Sequence, residues 1–192
     1  MALSREVAQL LNDWSKGDKC ALDELFPILI SELRRRAHNA LRRDRRNQTL
    51  ETTALVHETY LKLAGYRRPP CKGREHFFAM ASQAMRRVLV DHARRMHRAK
   101  RAGIKVQLDL VPDAAVRTKV HTVAVLALNE ALEALAAIDP RKVQIAEMKL
   151  FAGLTNQEIA NVLNMPLNRV TRDWQFARAF LAREISRSQY DS

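Results

Sequence analysis

The sequence has little of what several protein classes need. It holds 2 Cys in 192 residues, 51 positions apart at Cys20 and Cys71, too few for a disulfide framework or a zinc site. It holds 5 Gly and 6 Pro, a poor supply for a turn-rich β fold, and the glycines are scattered, so no Gly-rich phosphate loop forms. Aromatics make up 6%, which argues against an RNA module built on stacking platforms. No uninterrupted apolar run approaches the ~18 residues of a membrane span. The N-terminal stretch MALSREVAQLLNDW carries Arg5 and Glu6 early and lacks a signal-peptide core. The expectation is a protein of the reducing cytoplasm, away from any membrane.

Chemistry is also scarce. His57-Glu58 lacks the second histidine four residues after the first that a zinc-protease helix requires. Asp91-His92 has no evident nucleophile partner. Cys20 reads as a packed thiol and Cys71 as a loop thiol. The chain is therefore expected to be no enzyme, with no catalytic residue, no metal and no cofactor.

What the sequence does have is positive charge: 33 Lys+Arg against 21 Asp+Glu, a net of +12. Residues 34–46 hold seven basic groups and one acidic, and residues 72–105 hold ten and two. Residues 106–192 hold ten of each. The excess is confined to two blocks of the first 105 residues. Blocks this one-sided repel themselves unless an anion neutralises them, and the simplest polyanion is nucleic acid.

Almost every segment shows helical spacing. Leu3, Val7, Leu10, Leu11 and Trp14 share one face; Gly17 stops that helix and Asp18 can cap the next. Leu22, Leu25, Phe26, Leu29, Leu33, Ala37 and Leu41 form a second stripe, with Pro27 expected to kink or break it. Thr52 or Thr53 can cap a third helix with Val56, Tyr60 and Leu63 inside, ended by Gly65. The segment 66–75 reads as a loop. A fourth helix is expected from about Glu75 to Lys100 on a stripe of Phe77, Ala81, Ala84, Val88, His92 and Met96, with His92 at the core or its rim. Periodicity lapses over 103–122, read as a partly extended linker. It resumes over Val123–Ile138, breaks at Asp139-Pro140, and returns from Arg141 to Phe151.

Thr155-Asn156-Gln157-Glu158 fits a capping box. The short helix it opens is followed by Asn164, which tolerates a left-handed turn, and by Pro166 at the start of an amphipathic helix with Val170, Trp174, Ala177 and Leu181 inside. This pattern reads as a helix-turn-helix. Asn168, Arg172 and Gln175 fall opposite Val170, with Arg169 beside them. Asn and Gln can read adenine, and Arg can read guanine.

Taken in order, LLNDWSKGDKCALDELFPILISELRR (10–35), TLETTALVHETYLKL (49–63), HFFAMASQAMRRVLVDHARR (76–95) and FAGLTNQEIANVLNMPLNRVTRDWQFARAFL (151–181) resemble the sigma-70 family of bacterial sigma factors, in its extracytoplasmic-function (ECF) group. The resemblance covers nearly the whole chain. It implies an all-α protein of two small helical domains joined by a flexible linker: residues 1–102, a linker over 103–122, and residues 123–192 containing the helix-turn-helix. It implies a chain that binds core RNA polymerase, at its β′ clamp helices and β flap, and directs it to promoter DNA. The stretch with Leu55, His57, Glu58 and Thr59, preceded by Glu51, matches the clamp-binding region. The −10-reading region matches Tyr66, Arg67, Arg68, Gln83, Arg86, Arg87, Arg94, Arg95 and Arg98. The −35-reading helix matches Asn168, Arg169, Thr171, Arg172 and Gln175.

The charge pattern suits these roles, because a groove for melted promoter DNA needs cations along the phosphates and surfaces for unstacked bases. Two departures stand out. Many members carry an acidic cluster ahead of the clamp-binding stretch, whereas this chain reads Glu51-Thr52-Thr53-Ala54. Phosphorylation of Thr52 or Thr53 by a Ser/Thr kinase would restore the charge; the plainer reading is two helix caps. Pro166 stands where the family often has a capping Ser or Thr. An anti-sigma partner would be one further route of control. The rival reading is a helix-turn-helix regulator that binds duplex DNA without polymerase.

Overall fold

The computed structural model describes residues 2–40, 48–67, 71–101 and 112–190. Among them are eight helices and no strand: α1 (Ala2–Ser15), α2 (Lys19–Ala40), α3 (Gln48–Ala64), α4 (Arg74–Arg101), α5 (Pro112–Ile138), α6 (Pro140–Leu150), α7 (Asn156–Leu163) and α8 (Leu167–Tyr190). No helix among the described residues is long and apolar enough to cross a membrane.

The first four helices pack in sequence, each on the next, and α4 carries the arrangement forward onto α5, α6 and α7. Val7, Leu11 and Trp14 turn inward from α1, and the Trp14 ring meets Phe77 of α4 edge-on at 5.8 Å. Burying such side chains stabilises the fold by about 1.5–3 kcal/mol each. Gly17 takes a φ of 105°, which turns the chain, and the Asp18 carboxylate accepts from the Cys20 amide at 2.9 Å. Leu22, Leu25, Leu29 and Leu33 form the buried stripe of α2. Pro27 neither breaks nor ends α2: it lies exposed within one continuous helix.

Three other expectations need correction. Helix α3 begins at Gln48, so Thr52 and Thr53 lie inside it and cannot cap it. His92 is exposed, because the buried face of α4 at that level runs through Val88 and Ala93. Cys20 is not a packed thiol, and Cys71, in the loop before α4 as expected, is the buried one. Cys20 is exposed, and Cys71 is buried, its Sγ donating to the Gly73 carbonyl at 3.4 Å. Burial pushes the Cys71 thiol above its usual value, an unreactive setting.

The expected linker also changes. Residues 112–122 are the first turns of α5, which runs unbroken to Ile138, while 103–111 lie outside the described residues. The two halves are packed against one another. One continuous buried apolar cluster includes Leu25, Leu33 and Phe78 from the first half and Leu135, Ile145, Ile159 and Val170 from the second.

Candidate nucleic-acid interface

Helices α7 and α8 form the most locally determined part of the site. Asp139 first caps α6, its side chain accepting from the Arg141 amide at 2.9 Å, with Pro140 in the first turn. Thr155 then caps α7 with both halves of a capping box. Its hydroxyl accepts from the Glu158 amide at 3.2 Å, and its own amide donates to Glu158 Oε2 at 2.6 Å. Ile159 and Ala160 anchor α7 in the core. Asn164 closes it in the left-handed region, φ 49° and ψ 52°, and the chain re-enters a helix at Leu167. The Pro166 carbonyl accepts from the amides of Arg169 and Val170, so Pro166 stands at the threshold of α8.

Val170, Ala177 and Leu181 are buried along α8, and Asn168, Arg169, Arg172 and Gln175 are exposed on it. The face expected to read DNA is therefore open. Two of its members differ from expectation. Thr171 is half-buried: its hydroxyl donates to the Leu167 carbonyl at 3.0 Å and accepts from Asn156 Nδ2 at 3.0 Å. It braces α7 against α8. Asn168 Oδ1 accepts from the Arg169 amide at 2.7 Å, which takes up part of the oxygen needed for a bidentate adenine contact. A residue the sequence reading passed over is Asp173, buried at 7% exposure, with carboxylate oxygens 3.7 Å from Arg169 and 4.0 Å from Arg172. Its position four residues after Arg169 was the available signal.

The second surface lies on α4. Arg87, Arg94, Arg95 and Arg98 are exposed and Gln83 is half-buried. Gln83, Arg86, Arg87, Asp91 and Arg94 line a groove of about 360 Å³ whose opposite wall is Asn129, Glu133 and Glu147. Arg86 is half-buried in this groove, with its guanidinium taken up by the opposite wall. Its Nη1 donates to Glu147 Oε1 at 2.5 Å, and its Nε and Nη2 donate to Asn129 Oδ1 at 3.2 and 3.0 Å. Tyr66 packs at the edge of the core, Arg67 is exposed, and Arg68 lies outside the described residues.

A third cluster joins α2, α4 and α7. The Arg36 guanidinium lies 4.1 Å from the Phe78 ring centroid, donates to Glu32 at 2.5 Å and to the Ala152 carbonyl, and stands 3.8 Å from Glu158. Arg74 pairs with Glu32 from the other side. Burial alone would raise the Glu32 carboxyl, but its bonds to Arg36 and Arg74 and their charges outweigh that and hold it below its usual value.

On α3 the expected partner-binding residues separate. Leu55 and Thr59 are in the core, and the Thr59 hydroxyl donates back to the Leu55 carbonyl at 2.6 Å. Neither side chain is presented at the surface of this structure. His57 and Glu58 are exposed, as is Leu61 at 49%, a large apolar side chain that the sequence reading did not single out. The Glu51 side chain lies outside the described residues. Thr52 is buried at 6% with no partner for its hydroxyl, whereas Thr53 is exposed. The Tyr60 ring packs at a tilt against Phe26, centroids 4.6 Å apart, and its hydroxyl donates to Asp23, a bond that raises the phenol above its usual value.

No curated protein matches the chain. The family described as ECF sigma factor matches it over residues 4–187, a span that takes in α2 to α7 whole and most of α1 and α8. With nearly the whole length covered, the chain belongs to the ECF group of the sigma-70 family of sigma factors, proteins of transcription initiation.

Proposed function

We propose that this chain binds core RNA polymerase through its first half and brings it to promoters carrying two separate elements. The observation that supports the reading is the pairing, in one chain matched by the family over residues 4–187, of an exposed polar face on α8 with an arginine-lined face on α4. Arg169, Arg172 and Gln175 of α8 read the −35 element in the major groove, where Arg recognises guanine and Gln adenine. Thr171 positions that helix and touches no base. Arg86, Arg87, Arg94, Arg95 and Arg98 track the phosphates of the melted −10 strand, with Gln83 and the segment around Tyr66 against its bases.

His57, Glu58 and Leu61 form the polymerase contact on α3. Glu51 adds the one remaining acid of the family's cluster. If a kinase supplies further charge, Thr53 is its substrate, because the Thr52 hydroxyl is buried. The α8 end of the second half meets the β flap, and an anti-sigma protein would compete for these same surfaces.

Binding to fluorescently labelled core polymerase tests the reading. The chain should bind core polymerase tightly and duplex promoter DNA weakly by itself. His57→Ala/Glu58→Lys should weaken the first interaction and leave the second unchanged. Tight duplex binding with no affinity for core polymerase would overturn it in favour of a free-standing DNA-binding regulator.

A further inference from the structure

Phe176 stands on the outer side of α8 with 46% of its surface open to solvent. Scattered exposed leucines are ordinary on a protein surface. Phe176 differs because its ring is held in place. Lys142 of α6 lies over it, with Nζ 5.2 Å from the ring centroid and tied to Asp139 Oδ2 at 2.5 Å. One turn further along α8, the Phe180 ring lies nearly parallel to it, 15° between planes and 6.3 Å between centroids. The Arg183 guanidinium stands 5.5 Å from the Phe180 centroid. Cation, ring, ring and cation form a row, and the attraction of each cation for the negative face of its ring holds the row together. The helix that carries the two rings has five arginines against two acids, so this fixed apolar spot sits in a positive field that suits a polyanion.

Its place on the helix narrows the ligand. Arg172 and Phe176 are one turn apart and about 40° apart around the axis at ~100° per residue, and such neighbours have Cβ atoms about 5–6 Å from one another. Base pairs follow one another every ~3.4 Å along the duplex. A helix that brings Arg172 to a guanine edge in the major groove therefore brings Phe176 to a base pair one or two steps away. A phenyl ring has no donor or acceptor to offer there. The base edge that suits it is thymine, whose 5-methyl is the one alkyl group displayed in that groove, whereas adenine and guanine present N7 acceptors and cytosine an amino donor.

We propose that Phe176 is a specificity-determining residue that packs against a thymine 5-methyl group in the −35 element, one or two base pairs from the guanine read by Arg172. The proposal rests on the reading of α8 as the −35 helix and adds to it a base that no hydrogen-bonding side chain of that face selects. Because Lys142 and Phe180 already fix the ring, contact with DNA costs it little side-chain freedom.

The test uses the full chain bound to core RNA polymerase and duplex promoters recovered by run-off transcription of genomic fragments. Each −35 thymine, on either strand, is replaced in turn by deoxyuridine, which removes only the 5-methyl. Arg172→Ala first locates its guanine as the position where base preference relaxes. One or two base pairs from it, uracil should lower the affinity of the unsubstituted chain about four-fold, the worth of one buried methyl-sized group. Phe176→Ala should bind the thymine and uracil duplexes alike at that position, and Phe176→Leu, still apolar, should keep part of the difference. Each comparison is made within one variant, so a general change in stability cancels. No methyl effect at those positions overturns the proposal, as does a methyl effect there that survives Phe176→Ala. Weakened binding of Phe176→Ala to core polymerase with no methyl effect also overturns it and makes the ring a protein contact. Arg172→Ala separates the two levels. If it relaxes a base preference while uracil has no effect, α8 reads the −35 element without Phe176. If neither Arg172→Ala nor Phe176→Ala changes affinity or base preference, the α8 reading fails and methyl recognition with it.

Discussion

Asn156 Nδ2 donates to Thr171 Oγ1 at 3.0 Å, and that one bond ties the first turn of α7 to the first turns of α8. The two helices also pack on one another, and the chain passes between them through three residues, Asn164–Pro166, with Asn164 left-handed. The angle at which α8 presents Arg169 and Arg172 is thus set partly by the Thr171 hydroxyl. Thr171→Val keeps the shape and removes the bond. It should destabilise the chain by about 1 kcal/mol, and Asn156→Ala should not add its full effect on top. Urea denaturation of the two single variants and the double variant checks this. Full additivity would mean that the bond contributes nothing.

Thr155→Ala removes the side-chain half of the α7 capping box and leaves the Glu158 carboxylate without its reciprocal partner. A loss of about 1 kcal/mol is expected in thermal or urea unfolding. Thr155→Ser should recover most of it, because only the hydroxyl is used.

Glu32 predicts an acid-side dependence. Its carboxyl is held below its ordinary value of 4.5 in the folded chain, against a burial effect that works the other way. A carboxylate depressed on folding contributes stability that is present above its unfolded pKa and is lost as pH falls through the folded one. Stability should therefore drop as pH is lowered below about 4.5. Glu32→Gln should be less stable near neutral pH, where Arg36 and Arg74 lose their anion, and should show a flatter acid limb. Parallel acid limbs for the two proteins would contradict the assignment.

Arg172→Ala should lower recognition of the preferred −35 sequence by roughly 1–3 kcal/mol and relax the base preference at one position. Promoter variants scored by transcription in parallel provide the measurement. An equal loss on every sequence would make Arg172 a phosphate contact.

Much of this architecture was legible in the sequence because its signals are local. The capping box at Thr155, the left-handed Asn164 and the buried stripe through Val170, Ala177 and Leu181 are read from residues within a few positions of each other, and each stands in the structure as expected. The exposure of Arg172 and Gln175 followed from helical spacing alone. What escaped the sequence was pairing at long range. Arg86 and Glu147 are 61 positions apart, and Arg36 and Ala152 are 116 apart; nothing in either neighbourhood names the other.

Helix ends were also misjudged where a competing signal was stronger. Two threonines suggested a cap at 52–53, but the helix continues back to Gln48 and Thr52 is buried inside it. Periodicity placed His92 on the inner stripe of α4, but a helix of 28 residues drifts relative to its neighbours, and by that level the buried position is Ala93. Leu55 and Thr59 matched a partner-binding stretch by resemblance, yet helical spacing puts them on the same inward face, four residues apart.

A chain that confers promoter choice on core RNA polymerase must make transcription depend on its presence. Run-off transcription from a genomic fragment library, with core polymerase in the presence and absence of the chain, tests it most directly. Discrete transcripts should appear only when the chain is added, and should be lost with His57→Ala/Glu58→Lys. No chain-dependent transcript, together with tight binding of the chain alone to duplex DNA, would contradict it.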